Sequence, residues 1–500
     1  MKQEKSPLNG SAKDQPNTTG QISRNTLSLL SARIFEYIGF FFFSLYYIPK
    51  LGPSQYGILK YATSLTGLFF ILADFGLAMM ITRDIARQKK EQRARLIGLG
   101  LFLKIILGLF ALSCIIVIGL LFQKDPSVRF VVYLFGIAIV FNSLVLYFCG
   151  VFQGYEKMQI VAYVRILFTV VVCLLGFFLL ESGFGIVGLA FAHITGNAAG
   201  VIAAVLFSRK LCGKYTLQMD WLRARSLLKR AFPFGLFALF STIYLQVDNI
   251  MIFHIKGEEA LGIYGAATRI IIAVCFFTEA FMGTLYPMLS RFFMQDRKKM
   301  IVSFQRAFWF LFITGLPATL GLWRLGKPLV TFLFGVNYHL SGPVLSLLSL
   351  LIFFRFIGNV PATLMTAINR QTTRMWLVIG ASVLNIGLNL VLIPRYSYMG
   401  AAYATITVNV VLMFVYYILA YRAGYSVFSM IPRIIKPGIA SVIMLLVLIG
   451  IKDIHVLLQF LAGVAVYVFA LLLLRSFNLE EKEMLKNAVT GITSHLKKRK

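Results

Sequence analysis

The sequence predicts an all-α polytopic membrane protein with about 14 transmembrane helices. They form two six-helix lobes in parallel pseudo-repeat plus two C-terminal helices. Three observations predict this: the composition, the alternation of apolar runs with cationic loops, and an internal repeat. Of 500 residues, 59% are hydrophobic and only 14% are charged, and the mean hydropathy is +0.80. Soluble domains carry roughly 25% charged residues. The composition therefore excludes a soluble globular enzyme, a disordered chain and a disulfide scaffold. A net charge of +30 would suggest nucleic acid for a soluble protein. Here the cations cluster between apolar runs, where they set membrane orientation. A specific anionic partner for those loops is the sharper alternative. The five cysteines are scattered without paired spacing, so neither a disulfide framework nor a metal site is expected.

Residues 1–26 are polar and lack the apolar core of a signal peptide, so they read as a cytoplasmic N-terminal tail. Runs of ~20 apolar residues, long enough to span a bilayer, start near Leu27, Tyr56, Leu96, Val128, Ile160 and Ile186. They make an N-terminal six-helix lobe over 27–208. A basic cytoplasmic linker occupies 209–230. From Leu217 to Phe232, the residues Trp221, Leu222, Leu227, Leu228 and Phe232 alternate with Arg223, Arg225, Lys229 and Arg230. This pattern fits a helix lying in the interface, or a basic loop that runs into the next span at Pro233. Runs starting near Ala231, Gly262, Phe304, Pro343, Met375 and Met399 make a second six-helix lobe over 231–421. Two additional helices, from Pro437 and Val456, fall in 422–476, and 477–500 is a basic cytoplasmic tail. The longest outside connection is about Leu325 to Gly342, too short for a folded soluble domain.

Lys and Arg are distributed unevenly. The tails and the even-numbered connections hold about 35 of the 49, against about 8 in the odd-numbered connections. This places both termini in the cytoplasm and requires an even number of spans.

The repeat is visible as two matches. Gly52-Pro-Ser-Gln-Tyr-Gly57-Ile58 resembles Gly257-Glu-Glu-Ala-Leu-Gly262-Ile263, at an offset of 262 − 57 = 205. Gly188-Leu-Ala190-Phe-Ala192-His-Ile194-Thr195-Gly-Asn197 resembles Gly400-Ala-Ala402-Tyr-Ala404-Thr-Ile406-Thr407-Val-Asn409, at an offset of 400 − 188 = 212. The first match opens spans two and eight, and the second opens spans six and twelve. Because six is even, the two copies share one orientation, related by an axis along the membrane normal. Parallel repeats of this kind suggest a transporter whose lobes rock around a midplane site.

Ten ionisable residues fall inside spans. The cations are Arg33, Lys60, Lys104, Arg165, Arg269 and Arg355, and the anions are Glu36, Asp74, Asp248 and Glu279. Each costs roughly 2.5–3.5 kcal/mol on insertion scales, so each needs a reason. Arg33 and Glu36, spaced i, i+3, can pair. Lys60 and Lys104 can snorkel toward headgroups. Arg269 and Arg355 are harder to place in lipid. Arg33, Arg165, Arg269, Arg355 and Lys60 are therefore the candidate cationic cavity. A guanidinium grips phosphate oxygens bidentately, so a diphosphate-bearing substrate suits several arginines. Asp248, Glu36 and Glu279 are candidate counter-ions or coupling groups, with proton or sodium as the coupling ion. Asn385 and Asn389, Thr405 and Asn409, and His193 and Asn197 each share a helical face at i, i+4. They read as interhelical hydrogen bonding or as contacts to sugar hydroxyls. No cofactor, metal cluster, nucleophile motif or phosphate-binding GxxxxGK[ST] loop is present in the sequence.

Several stretches resemble the polysaccharide flippase family, of the O-antigen type within the multidrug/oligosaccharidyl-lipid/polysaccharide exporter superfamily. They are Leu51-Gly52-Pro53-Ser-Gln-Tyr56-Gly57; Leu72-Ala-Asp74-Phe-Gly76-Leu77 with Ile81-Thr-Arg83-Asp84-Ile85-Ala86; Phe152-Gln153-Gly154-Tyr-Glu156-Lys-Met158; Ile243-Tyr244-Leu-Gln-Val247-Asp248 followed by Gly262-Ile-Tyr264-Gly-Ala266-Ala267; and Phe334-Gly335-Val-Asn-Tyr338. The resemblance implies a bacterial inner-membrane carrier, not an enzyme. Such carriers move a polyprenyl-diphosphate oligosaccharide from the cytoplasmic to the outer leaflet by alternating access, for cell-surface polysaccharide biosynthesis. The implied partners are the lipid-linked glycan, membrane lipid and polysaccharide assembly proteins, without nucleic acid. The alternatives are a drug or metabolite exporter of the same superfamily and a membrane enzyme of glycan assembly. A cation exporter calls for an anionic cavity, whereas the intramembrane surplus here is cationic. An enzyme calls for a larger outer loop.

Overall fold

The computed structural model describes residues 18–87, 90–213, 215, 220–452 and 454–476. Residues 1–17 of the expected N-terminal tail, positions 214 and 216–219 of the linker, and the C-terminal tail 477–500 lie outside the described residues. All described regular structure is helical, and no strand occurs among the described residues. The helices are α1 (Thr18–Asp74), α2 (Leu77–Arg87), α3 (Lys90–Phe122), α4 (Pro126–Gly154), α5 (Met158–Glu181), α6 (Gly185–Cys212), α7 (Trp221–Gln295), α8 (Arg297–Phe334), α9 (Ser341–Ala367), α10 (Gln371–Arg422), α11 (Ile431–Gly450) and α12 (Val456–Leu473).

Among the described residues, eleven helices are long and apolar enough to cross a membrane. Three of the chain's helices, α1, α7 and α10, run for 57, 75 and 52 residues. A straight helix of 52 residues would reach about 80 Å, far beyond a hydrocarbon core of ~30 Å. Each of the three instead turns back on itself at one non-helical residue. In α1 this is Gly52 (φ 73°, ψ 169°), in α7 Gly257 (φ 87°, ψ −179°) and in α10 Ser397 (φ 53°, ψ −139°). The reversals bring together residues that a straight helix would separate. Tyr47 and Tyr56 have ring centroids 6.1 Å apart. The Tyr264 hydroxyl reaches Asp248 at 3.3 Å. A methyl at Gly400 would lie 2.2 Å from the Leu392 carbonyl oxygen. Eleven apolar helices with three reversals give about fourteen passes. Gly52 and Gly257 occupy corresponding places in the repeat, so the repeat carries a backbone device as well as a sequence similarity. No Cβ opposes the positive φ at either position.

The chain divides into two units. The first comprises Met1–Ser44 and Phe69–Ala238, and the second comprises Leu45–Leu68 and Leu239–Lys500. In the first unit α4 packs on α2, α3 and α6, and α5 packs on α6. Its core gathers Ile81, Ile85, Tyr147, Phe148, Phe152 and Val164. In the second unit α8 packs on α9, α11 and α12, and α9 packs on α10. The two C-terminal helices are fixed there by Trp309 and Ile313 against Ala440, Met444 and Tyr467. Many large apolar side chains point outward, among them Leu121 (72% exposed), Phe469 (67%) and Leu473 (71%). Apolar exposure on this scale marks a surface that faces lipid.

Two connections differ from expectation. The basic segment from Trp221 is neither a loop nor a separate helix, because it is continuous with the next span in α7. Ala224, Leu227 and Ala231 bury one face of it in the core of the first unit, while Trp221 stays exposed. The side chains of Leu222, Arg223, Arg230 and Phe232 lie outside the described ones. The outer connection expected from Leu325 to Gly342 is mostly helix. α8 continues to Phe334, Gly335 (φ 86°) ends it, and a single 3-10 turn over Val336–Tyr338 leads into α9.

Candidate functional site

The candidate charges separate by unit. In the first unit, Arg165 on α5 donates to the Glu36 carboxylate on α1 at 3.3 Å. Glu36 thus pairs across two spans and not with Arg33, the neighbour that helical spacing offered. Arg33 is exposed. Arg165 also reaches the buried Cys149 thiol. Lys104 on α3 does not snorkel. Its ammonium is fully buried and donates to Asp74, the last residue of α1. Asp74 precedes Phe75 (φ 47°) and Gly76 (φ 75°), where the second span breaks before α2. The ion pair therefore braces a break in the backbone.

In the second unit, charges of like sign are brought together. Lys60 lies after the turn in α1, and Arg269 lies after the turn in α7. Their charges repel one another, and Arg269 also acts on the buried Tyr56. Gly265 lies against Lys60 and Tyr56. A methyl there would lie 3.4 Å from Lys60 Cγ, and the Tyr56 hydroxyl donates to its carbonyl at 3.4 Å. Two cations from different spans are thus both half-buried here.

A separate polar cluster surrounds Asp248 on α7, which is 7% exposed. Its Oδ1 accepts from Asn389 Nδ2 at 2.7 Å, and its Oδ2 accepts from Thr405 Oγ1 at 2.6 Å and from the Tyr264 hydroxyl at 3.3 Å. Asn389 Nδ2 also donates to Asn385 Oδ1 at 3.0 Å. No ion pair to Asp248 occurs among the described residues. The i, i+4 pairs on α10 thus converge on one carboxylate. Asn389 Oδ1 is buried without a hydrogen-bond partner. One negative charge among several neutral oxygens suits a proton or a hard monovalent cation. Arg355 on α9 lies beside this cluster. Its guanidinium reaches the Cys275 sulfur and interacts with Tyr244 and, more weakly, with Glu279. Glu279 itself is exposed.

The structure therefore joins Lys60 with Arg269 and Glu36 with Arg165. It sets Arg355 near Glu279 and leaves Asp248 among neutral donors. Tyr56, Tyr244 and Cys275 were not singled out as site residues from the sequence. Their signal was faint, since tyrosines and cysteines in apolar runs are usually packing residues.

Comparison with known proteins agrees with this architecture. The polysaccharide biosynthesis protein family profile matches residues 22–293, and the MatE profile matches residues 233–391. A Haloferax volcanii protein named "Probable low-salt glycan biosynthesis flippase" is 24% identical over 397 residues, covering 77% of this chain and 80% of its own. An Escherichia coli "Putative O-antigen transporter" is 26% identical over 364 residues, covering 71% of this chain and 86% of its own. The solved structure of the lipid II flippase MurJ in an inward closed conformation superposes with a TM-score of 0.72 at 17% identity. That match covers 88% of this chain and 97% of the MurJ chain, and at such identity it establishes the fold. The polysaccharide biosynthesis match spans more than half of the 500 residues, and the protein belongs to that family.

Proposed function

We propose that the protein is a flippase that moves a lipid-linked glycan, carried on a polyprenyl diphosphate, from the cytoplasmic to the outer leaflet of a bacterial inner membrane. The juxtaposition of Lys60 and Arg269 carries this reading. A half-buried Lys and Arg on two spans suit a diphosphate, whose oxygens a guanidinium grips bidentately. Arg33, Arg165 and Arg355 are proposed as further contacts along the anion's path, with Glu36 and Glu279 as their counter-charges. The Asp248 cluster is proposed as the coupling site for a proton or a sodium ion. The two repeats, 27–208 and 231–421, are proposed to rock as lobes about the linker at 209–230. Both termini face the cytoplasm, as the distribution of Lys and Arg supports. Polysaccharide assembly proteins are proposed partners. A carrier of this kind performs no covalent chemistry.

The MatE match over residues 233–391 supports a second reading, a drug or metabolite exporter. Lipid extraction and mass spectrometry on cells with and without the gene decide between them. Deletion is expected to accumulate a polyprenyl-diphosphate oligosaccharide, and re-expression of the wild type to clear it. Unchanged glycolipids on deletion would overturn the flippase reading in favour of the exporter. Accumulation of unpolymerised units already outside would point to an enzyme of assembly.

A further inference from the structure

The basic segment that opens α7 belongs neither to the Lys60 and Arg269 pair nor to the Asp248 cluster. One of its faces is covered. Ala224, Leu227 and Ala231 enter the core of the first unit together with Ile85 of α2 and Leu96 of α3, and Leu211 and Cys212 of α6 pack against that core. Another face is open. Trp221, Arg225 and Lys229 recur every four residues and all three are exposed, Trp221 at 65%. At 3.6 residues per turn they form one ridge, about 130° round the helix from the buried stripe.

Arg95 shows how deep this ridge sits. It reaches Asp220, the residue before Trp221, at 3.8 Å, and it immediately precedes the apolar run from Leu96. The ridge therefore starts beside the boundary of a span, where an exposed indole favours the headgroup region over water. No carboxylate pairs with Arg225 or Lys229 among the described residues. Two cations one turn apart on an open face can share one phosphate. Further exposed cations end the neighbouring elements: Arg87 on α2, and Arg209 and Lys210 on α6. They make the potential around the ridge more positive and draw anionic lipid toward it.

The repeat shows that the bundle does not need this ridge. At the offset of 205, positions 221, 225 and 229 correspond to Pro16, Gly20 and Arg24 in the first copy, with one cation and no tryptophan. A soluble anion would engage the two cations and give the indole nothing to contact, whereas a lipid engages all three side chains.

We propose that the Trp221–Arg225–Lys229 ridge is a binding surface for an anionic glycerophospholipid, with Arg225 and Lys229 on the headgroup phosphate and the Trp221 indole among the neighbouring headgroups. The lipid holds the 221–231 segment at the surface of the bilayer. That this is the cytoplasmic leaflet follows from the orientation proposed above. The ridge itself depends on neither that orientation nor the glycan.

The test is native mass spectrometry of the full-length protein in detergent, titrated with phosphatidylglycerol, or with phosphatidylcholine as the neutral probe. The wild type is expected to bind its first phosphatidylglycerol about tenfold more tightly than phosphatidylcholine. Arg225→Gln with Lys229→Gln is expected to weaken phosphatidylglycerol binding about tenfold and to leave phosphatidylcholine binding unchanged. Trp221→Ala is expected to weaken both about threefold. Lys298→Gln with Lys299→Gln removes the same charge from another exposed basic stretch and is expected to change neither. An equal loss in that variant would overturn the proposal in favour of overall positive charge. Displacement of phosphatidylglycerol by equimolar inorganic pyrophosphate would overturn it in favour of a soluble anion. If the ridge variants fail to fold, a wild type that does not prefer phosphatidylglycerol overturns it alone.

Discussion

Buried charges are handled differently in the two units. In the first, each buried ammonium or guanidinium meets a carboxylate: Lys104 meets Asp74, and Arg165 meets Glu36. In the second, opposite signs meet at Arg355 and Glu279, while Lys60 and Asp248 have other neighbours. Lys60 stands against Arg269, and Asp248 is solvated by Asn389, Thr405 and Tyr264. Charges that cancel locally need no visitor and read as structural. Charges held without such a pair offer a place for a visitor of opposite sign. The comparison therefore divides the ten intramembrane charges by function more sharply than their depth in the spans does.

The largest expected effect tests the structural half. Lys104→Met strands the Asp74 carboxylate beside a backbone break, and removing one partner of a buried pair costs about 3–5 kcal/mol. A thermal-unfolding scan in detergent is expected to show a large fall in stability. The double variant Lys104→Met, Asp74→Leu is expected to recover most of it, because a buried pair is often replaceable by apolar groups. A double variant as unstable as the single one would mean that the charges do more than cancel each other.

The functional half makes the opposite prediction. Lys60→Ala relieves a repulsion with Arg269, so its folding is expected to be unharmed, and the double variant with Arg269→Ala is compared at matched membrane abundance. Transport, read as clearance of the accumulated lipid-linked glycan in deletion cells, is expected to fall by about 100-fold in the double variant, roughly 2.7 kcal/mol of lost anion stabilisation. Normal transport by a well-inserted double variant would break the assignment. Next in size is Asp248→Asn, which keeps the shape and removes the charge. It is expected to lower transport about tenfold at normal abundance and to abolish its response to an imposed proton or sodium gradient. A variant that still responds to both gradients would return Asp248 to a purely structural role.

Much of this fold was legible in the sequence because span length and hydropathy are local properties. The run expected from Val456 begins α12 at that residue, and the run expected from Ile160 begins two residues after α5 starts at Met158. The Gly52 and Gly257 motifs marked two of the three turns, since glycine takes a positive φ freely, whereas Ser397 makes the third without one. Pairing between spans was less legible. Helical spacing joined Glu36 to Arg33, three residues away, while the partner Arg165 lies 129 residues away. Snorkelling placed Lys104 in the headgroups, yet the opposite charge at Asp74 was already visible one span earlier. The i, i+4 spacing of Asn385 and Asn389 located a polar face correctly, but only the packed bundle shows that the face meets Asp248. Like charges brought together, as at Lys60 and Arg269, leave no local pattern at all.

The smallest expected effect sharpens the comparison at its boundary, the Arg165–Glu36 pair. Its side chains are 29% and 22% exposed and its contact is 3.3 Å, against a fully buried ammonium in Lys104. Partly exposed pairs contribute about 1 kcal/mol or less. Glu36→Gln is therefore expected to lower the unfolding temperature only slightly, and the charge swap Glu36→Arg with Arg165→Glu to restore it. If the pair is purely structural, the swap also restores transport. If Arg165 instead exchanges Glu36 for the diphosphate of a passing substrate, the swap restores stability while transport stays low, because the cation then sits on α1 and not on α5. The two readouts together thus place Arg165 on one side of the division or the other, which stability alone would not do.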